Sequence, residues 1–286
     1  SLMVALEQVE GAFSLLLLGE EVLVAARDRH GFRPLLLGDL DGTPCFASES
    51  GAFDLLGARI VREVELGEVI ALRNGAGAIE SHRLCGSTRP TRCIFEHVYF
   101  AKQNSCIYGE NVHELRKKLG RQLAREHAVE ADVVIPVPDS GTSAAIGYAE
   151  QSGIPFDMGF VRSHYIGRTF ISPEQKMREV EVRLKLAVIK EVVAGKRVVV
   201  VDDSIVRGTT TRGKIRTLRE AGATEIHMRV SCPPIRHPCY YGIDFPTKEE
   251  LLANNRDLDE IRKFLEVDSV GYLSLEGMLS CAALPA

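Results

Sequence analysis

The chain has 286 residues, 45% hydrophobic and 26% charged, which suits an ordinary globular protein with room for two domains. A formal net charge of −4 gives no electrostatic case for nucleic acid binding. No apolar run reaches the roughly 18 residues of a membrane span, and no basic-then-apolar leader opens the chain. Seven cysteines, at 45, 85, 93, 106, 232, 239 and 281, form an odd set without a CxxC pair, so reduced thiols and a cytoplasmic location are expected.

Residues 12 to 72 read as short strands separated by turns: Ala12–Leu18, Val22–Arg27, Leu35–Leu37, Cys45–Ala47 and Val69–Leu72, with a helical turn over 52–58. The segment Arg27-Asp28-Arg29-His30-Gly31 is rich in reactive side chains. Charged hairpin turns are commonplace, however, and a structural role is expected for it. Leu84 to Arg92 is polar and turn-rich, and Cys93–Phe100 has strand-like spacing. The border is therefore placed at 92/93, with an α+β domain over 1–92 and an α/β domain over 93–286.

In the second part, Leu115, Leu119 and Leu123 recur at helical spacing and predict a helix from Val112 to about His127. A strand Val133–Val137, a Pro138-Asp139-Ser140-Gly141 turn and a helix Thr142–Gln151 follow. Phe156–Val161 reads as a strand and Glu174–Ala194 as a long charged helix. Val198–Val201 has no polar alternation, as a central strand buried on both faces should. It runs into Asp202 and Asp203, and a helix is expected over 211–221 with a strand over 225–231. Shorter helices are centred on 248–253 and 257–265. Strands alternating with helices at this spacing predict a parallel sheet.

The chemistry concentrates where the valine strand ends. Asp202 and Asp203 leave the strand on opposite faces, so one can take sugar hydroxyls while the other approaches a metal ion. Ser204, Gly208, Thr209 and Thr210 then offer hydroxyls and close backbone approach to a phosphate at a helix N-terminus. A phosphorylated sugar held with magnesium is the ligand this pattern fits.

The stretch Val198–Thr210 resembles the signature of type I phosphoribosyltransferases, which bind phosphoribosyl pyrophosphate. Its Val-Asp-Asp-Ser-Ile-Val-Arg-Gly-Thr-Thr wording is similar in particular to the glutamine phosphoribosylpyrophosphate amidotransferase family. Phe95–Ala101 resembles that family's domain junction, Tyr165–Ile171 its active-site loop and Tyr241–Asp244 a late segment. The resemblance implies a phosphoribosyltransferase sheet preceded by part of an N-terminal-nucleophile glutaminase domain. It implies displacement of pyrophosphate by glutamine-derived ammonia, giving 5-phosphoribosylamine in the first step of purine synthesis.

Carried over residue by residue, Asp139, Ser140 and Gly141 become the pyrophosphate loop. Asp202, Asp203, Ser204, Arg207, Gly208, Thr209 and Thr210 become the ribose-phosphate wall, with Ser140, Asp202 and Asp203 at magnesium. Tyr165, Arg168 and Thr169 become the closing loop, with Arg162 beside it where many relatives have lysine. Cys93 and Cys239 match two ligands of the [4Fe–4S] cluster that some members carry, but a C-terminal CxxC does not appear. The glutaminase nucleophile is an N-terminal cysteine, and residue 1 here is serine, so ammonia dependence or inactivity with glutamine is expected. A homo-oligomer inhibited by purine nucleotides is also implied.

Two alternatives compete. A nucleobase phosphoribosyltransferase would share the acids but not the strand-rich first part. A DNA-binding sensor of phosphoribosyl pyrophosphate should be basic, which a net charge of −4 is not.

Overall fold

The computed structural model describes residues 2–73, 79–86, 88–162, 186–243 and 247–282. The chain forms two compact units, one of Ser1–Val112 with Cys239–Asp244 and one of His113–Pro238 with Phe245–Ala286.

The first unit is antiparallel. β1 (Ser14–Leu18), β2 (Val22–Arg27), β6 (Glu68–Arg73) and β7 (Ile79–Arg83) form one sheet in the order β1-β2-β6-β7. β4 (Thr43–Ala47), β3 (Leu36–Leu40) and β5 (Arg59–Glu63) form a second, with β3 central. The alternation along β2 and β6 buries side chains on both faces. Val24, Ala26, Val69 and Ala71 gather with Leu6 and Leu84, whereas Ala25 and Ile70 pack against Leu37 of the second sheet and the flanking Leu35 and Val64. The strands read from sequence over residues 12–72 are all present. β5 and β7 were not among them, because Arg-Ile-Val-Arg-Glu and Ile-Glu-Ser-His-Arg are mostly exposed and their charges hide the pattern.

The charged segment 27–31 is structural, as expected. Arg27 is 2% exposed, and its guanidinium donates to the carbonyls of Arg33 (3.0 Å), Val64 (2.6 Å) and Gly31 (3.2 Å) while pairing with Glu63 at 2.9 Å. The buried Asp28 carboxylate accepts the amides of Phe13 and His30. These residues tie loops to β2.

One expectation fails here. Cys93–Phe100 is not a strand, since Glu96–Phe100 forms a turn of π-helix in which the Ala101 amide donates to the Glu96 carbonyl. Glu96, His97 and Val98 are buried in succession, which strand alternation cannot achieve. Residues 93–112 stay with the first unit and include the short antiparallel pair β8 (Cys106–Ile107) and β9 (Glu110–Asn111). The Cys106 amide donates to Ser50 Oγ, and the Gly51 amide donates to Ser105 Oγ.

The second unit is built on a four-stranded parallel sheet in the order β10-β13-β14-β15, comprising Val133–Pro136, Arg197–Asp202, Glu225–Val230 and Ser269–Tyr272. Val198–Val201 are at most 1% exposed, as an all-valine central strand requires. The helix Val112–Glu126 buries Leu115, Leu119 and Leu123 on one stripe. It meets the helix Thr142–Ser152 so closely that a Cβ on Gly120 or Gly147 would strike the other helix's backbone.

Residues 174–185 of the expected long helix lie outside the described residues. The remainder is not helical throughout, because Leu186–Val188 is β12, antiparallel to β11 (Phe160–Arg162), and only Lys190–Val193 is helical. The predicted strand 156–161 begins late, with Phe156 making a single bridge to Val134. β15 and the helix Leu275–Cys281 went unread.

Arg27 gives a direct test of the first unit. Arg27→Met should cost about 3 kcal/mol or more in urea unfolding, because three buried carbonyls and Glu63 lose their partner. A loss under about 1 kcal/mol would contradict the structural role assigned to this residue.

Candidate functional site

β10 and β13 are adjacent, parallel and in register, with Pro136 opposite Val201. Their following turns therefore leave the same edge of the sheet side by side. Ligands of open α/β sheets bind at this edge, where helix N-termini point their amides outward.

The first turn, Val137–Gly141, leads into the helix Thr142–Ser152 through a cis Pro138–Asp139 peptide. The Val137 amide donates to the Val201 carbonyl at 2.8 Å, and the Gly141 amide donates to the Val137 carbonyl at 3.0 Å. A Cβ at Gly141 would lie 2.5 Å from the Val201 carbonyl oxygen and 3.2 Å from Asp202 Cα. Glycine is needed at this point because the two turns touch through their backbones. Asp139 is exposed and accepts a hydrogen bond from the Arg162 guanidinium at 2.7 Å, while Ser140 is half-buried.

The second turn starts at the end of β13. Asp202 and Asp203 are 5% and 4% exposed. Asp202 Oδ1 accepts the Asp203 amide at 3.0 Å, and its Oδ2 lies 3.7 Å from Lys214 Nζ. Asp203 Oδ2 accepts the Ser204 hydroxyl at 2.6 Å. Ile205 is buried and anchors the turn, and the Leu252 amide donates to the Val206 carbonyl at 2.8 Å. Gly208 precedes the helix Thr209–Glu220 with φ +78°, a left-handed conformation that favours glycine. The N-cap residue of this helix is glycine, so among the described residues no N-cap side chain bonds the first turn, and Thr209 and Thr210 are exposed. Its first amides therefore face a place where an anion would satisfy them. Arg207 is exposed and paired with Glu250 at 2.7 Å.

Burial pushes the Asp202 carboxyl well above the usual carboxylate range, with Lys214 opposing that shift and Asp203 adding to it. Burial and then the charges of Asp203 and Asp202 raise the nearby Cys232 thiol. The structure thus brings Asp139, Ser140, Gly141, Arg162 and Asp202–Thr210 to one sheet edge. Tyr165, Arg168 and Thr169 lie outside the described residues. Lys214 was not singled out from sequence, where it is one of many cations on charged helices.

The oxygen donors of this edge include the Asp202 and Asp203 carboxylates and the hydroxyls of Ser140 and Ser204. This is the hard donor set that suits magnesium when phosphate oxygens and water complete its shell. Among the described residues no group of three or more His, Cys, Asp or Glu could hold a metal by itself. The thiols do not fit a four-iron cluster, which takes about four thiolates. Among the described residues no three cysteines gather at one place; Cys93 is half-buried with its thiol raised by burial, and Cys239 Sγ accepts the Tyr241 amide at 3.3 Å.

Comparison with known proteins agrees with this geometry. The phosphoribosyl transferase domain profile matches residues 109–250. The chain is 52% identical over 277 residues to the chloroplastic amidophosphoribosyltransferase of Vigna aconitifolia, covering 96% of this chain and 56% of that protein. It is 50% identical over 275 residues to the amidophosphoribosyltransferase of Bacillus subtilis, covering 96% and 57%. Residues 109–250 belong to the phosphoribosyl transferase domain family, and the chain as a whole is similar to part of the amidophosphoribosyltransferases.

It spans about half the length of the curated relatives it matches. Two solved structures superpose with a TM-score of 0.90 at 48% identity over 98% of this chain, covering 60% and 61% of theirs. One is described as the allosteric regulatory enzyme of purine biosynthesis. The other is glutamine phosphoribosylpyrophosphate amidotransferase from B. subtilis, complexed with ADP and GMP. The fold expected from sequence, a type I phosphoribosyltransferase sheet, is the fold found.

The buried acid sets a pH signature. A carboxyl raised in the folded state gives its full stability below the unfolded value near 4, and this is lost as pH rises through the folded value. Asparagine at 202 does not titrate. The melting temperature of Asp202→Asn relative to the unmutated chain should therefore climb as pH increases from 5 towards 8. A difference that is flat or falling with pH would contradict the shift.

Proposed function

We propose that this chain binds phosphoribosyl pyrophosphate across the paired turns and supports replacement of its pyrophosphate by ammonia. The C1–oxygen bond to pyrophosphate breaks, a C1–nitrogen bond forms, and ammonia's nitrogen gives up a proton to yield 5-phosphoribosylamine. The observation that carries this reading is the backbone contact of Gly141 with Val201 and Asp202, which joins two anion-accepting turns into one site.

The spacing suits a ligand with an anion at each end and a sugar between. The Thr209 and Thr210 amides with Ser204 are assigned to the 5-phosphate, and Asp139–Gly141 to the pyrophosphate. Asp202 and Asp203 are assigned to the ribose hydroxyls, where they also oppose the positive charge that develops on the ring. Bound magnesium would supply positive charge to the leaving pyrophosphate, held by Asp202, Asp203 and Ser140. Arg162, with Tyr165, Arg168 and Thr169, is assigned to closing over the pyrophosphate and excluding water. No protein nucleophile is needed for this step.

Residues 1–92 are read as part of a glutamine amidotransferase domain and 93–286 as the phosphoribosyltransferase domain. The high identity runs through both, which favours this reading over a nucleobase phosphoribosyltransferase or a DNA-binding sensor. Ammonia, supplied free or released from glutamine, is the proposed nitrogen donor. Inhibition by purine nucleotides, homo-oligomerisation and a cytoplasmic location complete the proposal. The B. subtilis relative complexed with ADP and GMP supports the first of these. Cys93 and Cys239 would need further thiolates from beyond the described residues to hold an iron–sulfur cluster, and no step is assigned to one.

With magnesium and phosphoribosyl pyrophosphate, pyrophosphate release should follow the addition of ammonium. Asp203→Asn should reduce turnover by about 100-fold or more. Absence of release, together with absence of phosphoribosyl pyrophosphate binding, would overturn the substrate.

A further inference from the structure

The two adjacent acids of the site are held differently. Asp203 leans on the turn itself, through the Ser204 hydroxyl. Asp202 is held by the Asp203 amide on one oxygen and faces the Lys214 ammonium, 3.7 Å away, with the other. Lys214 lies in the helix Thr209–Glu220, one turn beyond the buried Thr211 and next to the buried Ile215. Its side chain is only 17% exposed, so its stem runs through packed surroundings and delivers the charge inward.

The other cations of this helix behave otherwise. Arg212 and Arg216 pair with Glu266, and Arg219 pairs with Asp268. Those partners are themselves partly exposed acids outside the site. A covered lysine needs a charge partner to offset its lost hydration, and the partner here is an acid of the proposed ligand wall. Without it, two neighbouring buried carboxylates would repel, and Asp202 would be free to turn away from the ligand.

We propose that Lys214 is a positioning residue of the phosphoribosyl pyrophosphate site, fixing the Asp202 carboxylate from behind so that it can receive the ribose hydroxyls. It touches neither the ligand nor the reacting atoms. This inference rests on the substrate reading above. It predicts an effect specific to the sugar, because pyrophosphate alone has no hydroxyl for Asp202 to hold.

Calorimetric titrations with magnesium test it, using phosphoribosyl pyrophosphate and inorganic pyrophosphate separately. Lys214→Met should weaken phosphoribosyl pyrophosphate binding about tenfold while leaving pyrophosphate binding unchanged. Lys214→Arg, which keeps the charge, should restore most of the loss, and Arg216→Met should change neither. Lys214→Gln, with a polar head of similar reach, serves in place of the methionine variant if that variant melts early. In steady state with ammonium, the loss should appear in KM for phosphoribosyl pyrophosphate more than in kcat. Equal weakening of both ligands would mark a purely structural residue and overturn the inference, as would unaltered sugar binding. If the unmutated chain binds pyrophosphate but not phosphoribosyl pyrophosphate, the substrate reading itself falls and takes this inference with it.

Discussion

The second unit depends on one close contact, the backbone of Gly141 against Val201 and Asp202. Parallel pairing of β10 with β13 places two strand ends in register, and the contact fixes how their turns meet. Any side chain at 141 would wedge the turns apart, and the two sets of amides would no longer face one ligand. The valine strand, the helices behind it and the segment through Leu252 all serve to hold this edge. Such precision suits a ligand whose two anionic ends are separated by a rigid sugar.

Electrostatics make that edge costly. Two adjacent carboxylates are buried beside a buried thiol, with Lys214 the cation facing Asp202. Groups held against their preferred ionisation mark functional sites, because such an arrangement persists where binding rewards it. A ligand that brings hydroxyls and a divalent cation would relieve the repulsion. The ligand-free protein is thereby poised to gain on binding what it gives up in stability.

Much of this was legible in the sequence, and the reasons are physical. The four valines could only be a strand buried on both faces, and the acids and glycine after them had to mark its opening. Leu115, Leu119 and Leu123 declared their helix by spacing alone. Failures fell where pattern and burial part company. Cys93–Phe100 mixes apolar and polar side chains as a strand can, yet Glu96–Phe100 winds into a π-helical turn, and the exposed strands β5 and β7 carry charges that erase their period. Lys214 was invisible because the partner of a lysine is a fact of three dimensions. The pairing of the two turns was likewise a matter of register between strands more than 60 positions apart, which no local pattern encodes.

One molecule of phosphoribosyl pyrophosphate is proposed to span both turns. A structure of the chain with magnesium and phosphoribosyl pyrophosphate bound tests it most directly. The 5-phosphate should lie against the amides of Thr209 and Thr210, the pyrophosphate against Asp139–Gly141, and the ribose hydroxyls on Asp202 and Asp203. A ligand that occupied only one turn, or that bound in the first unit, would contradict the account.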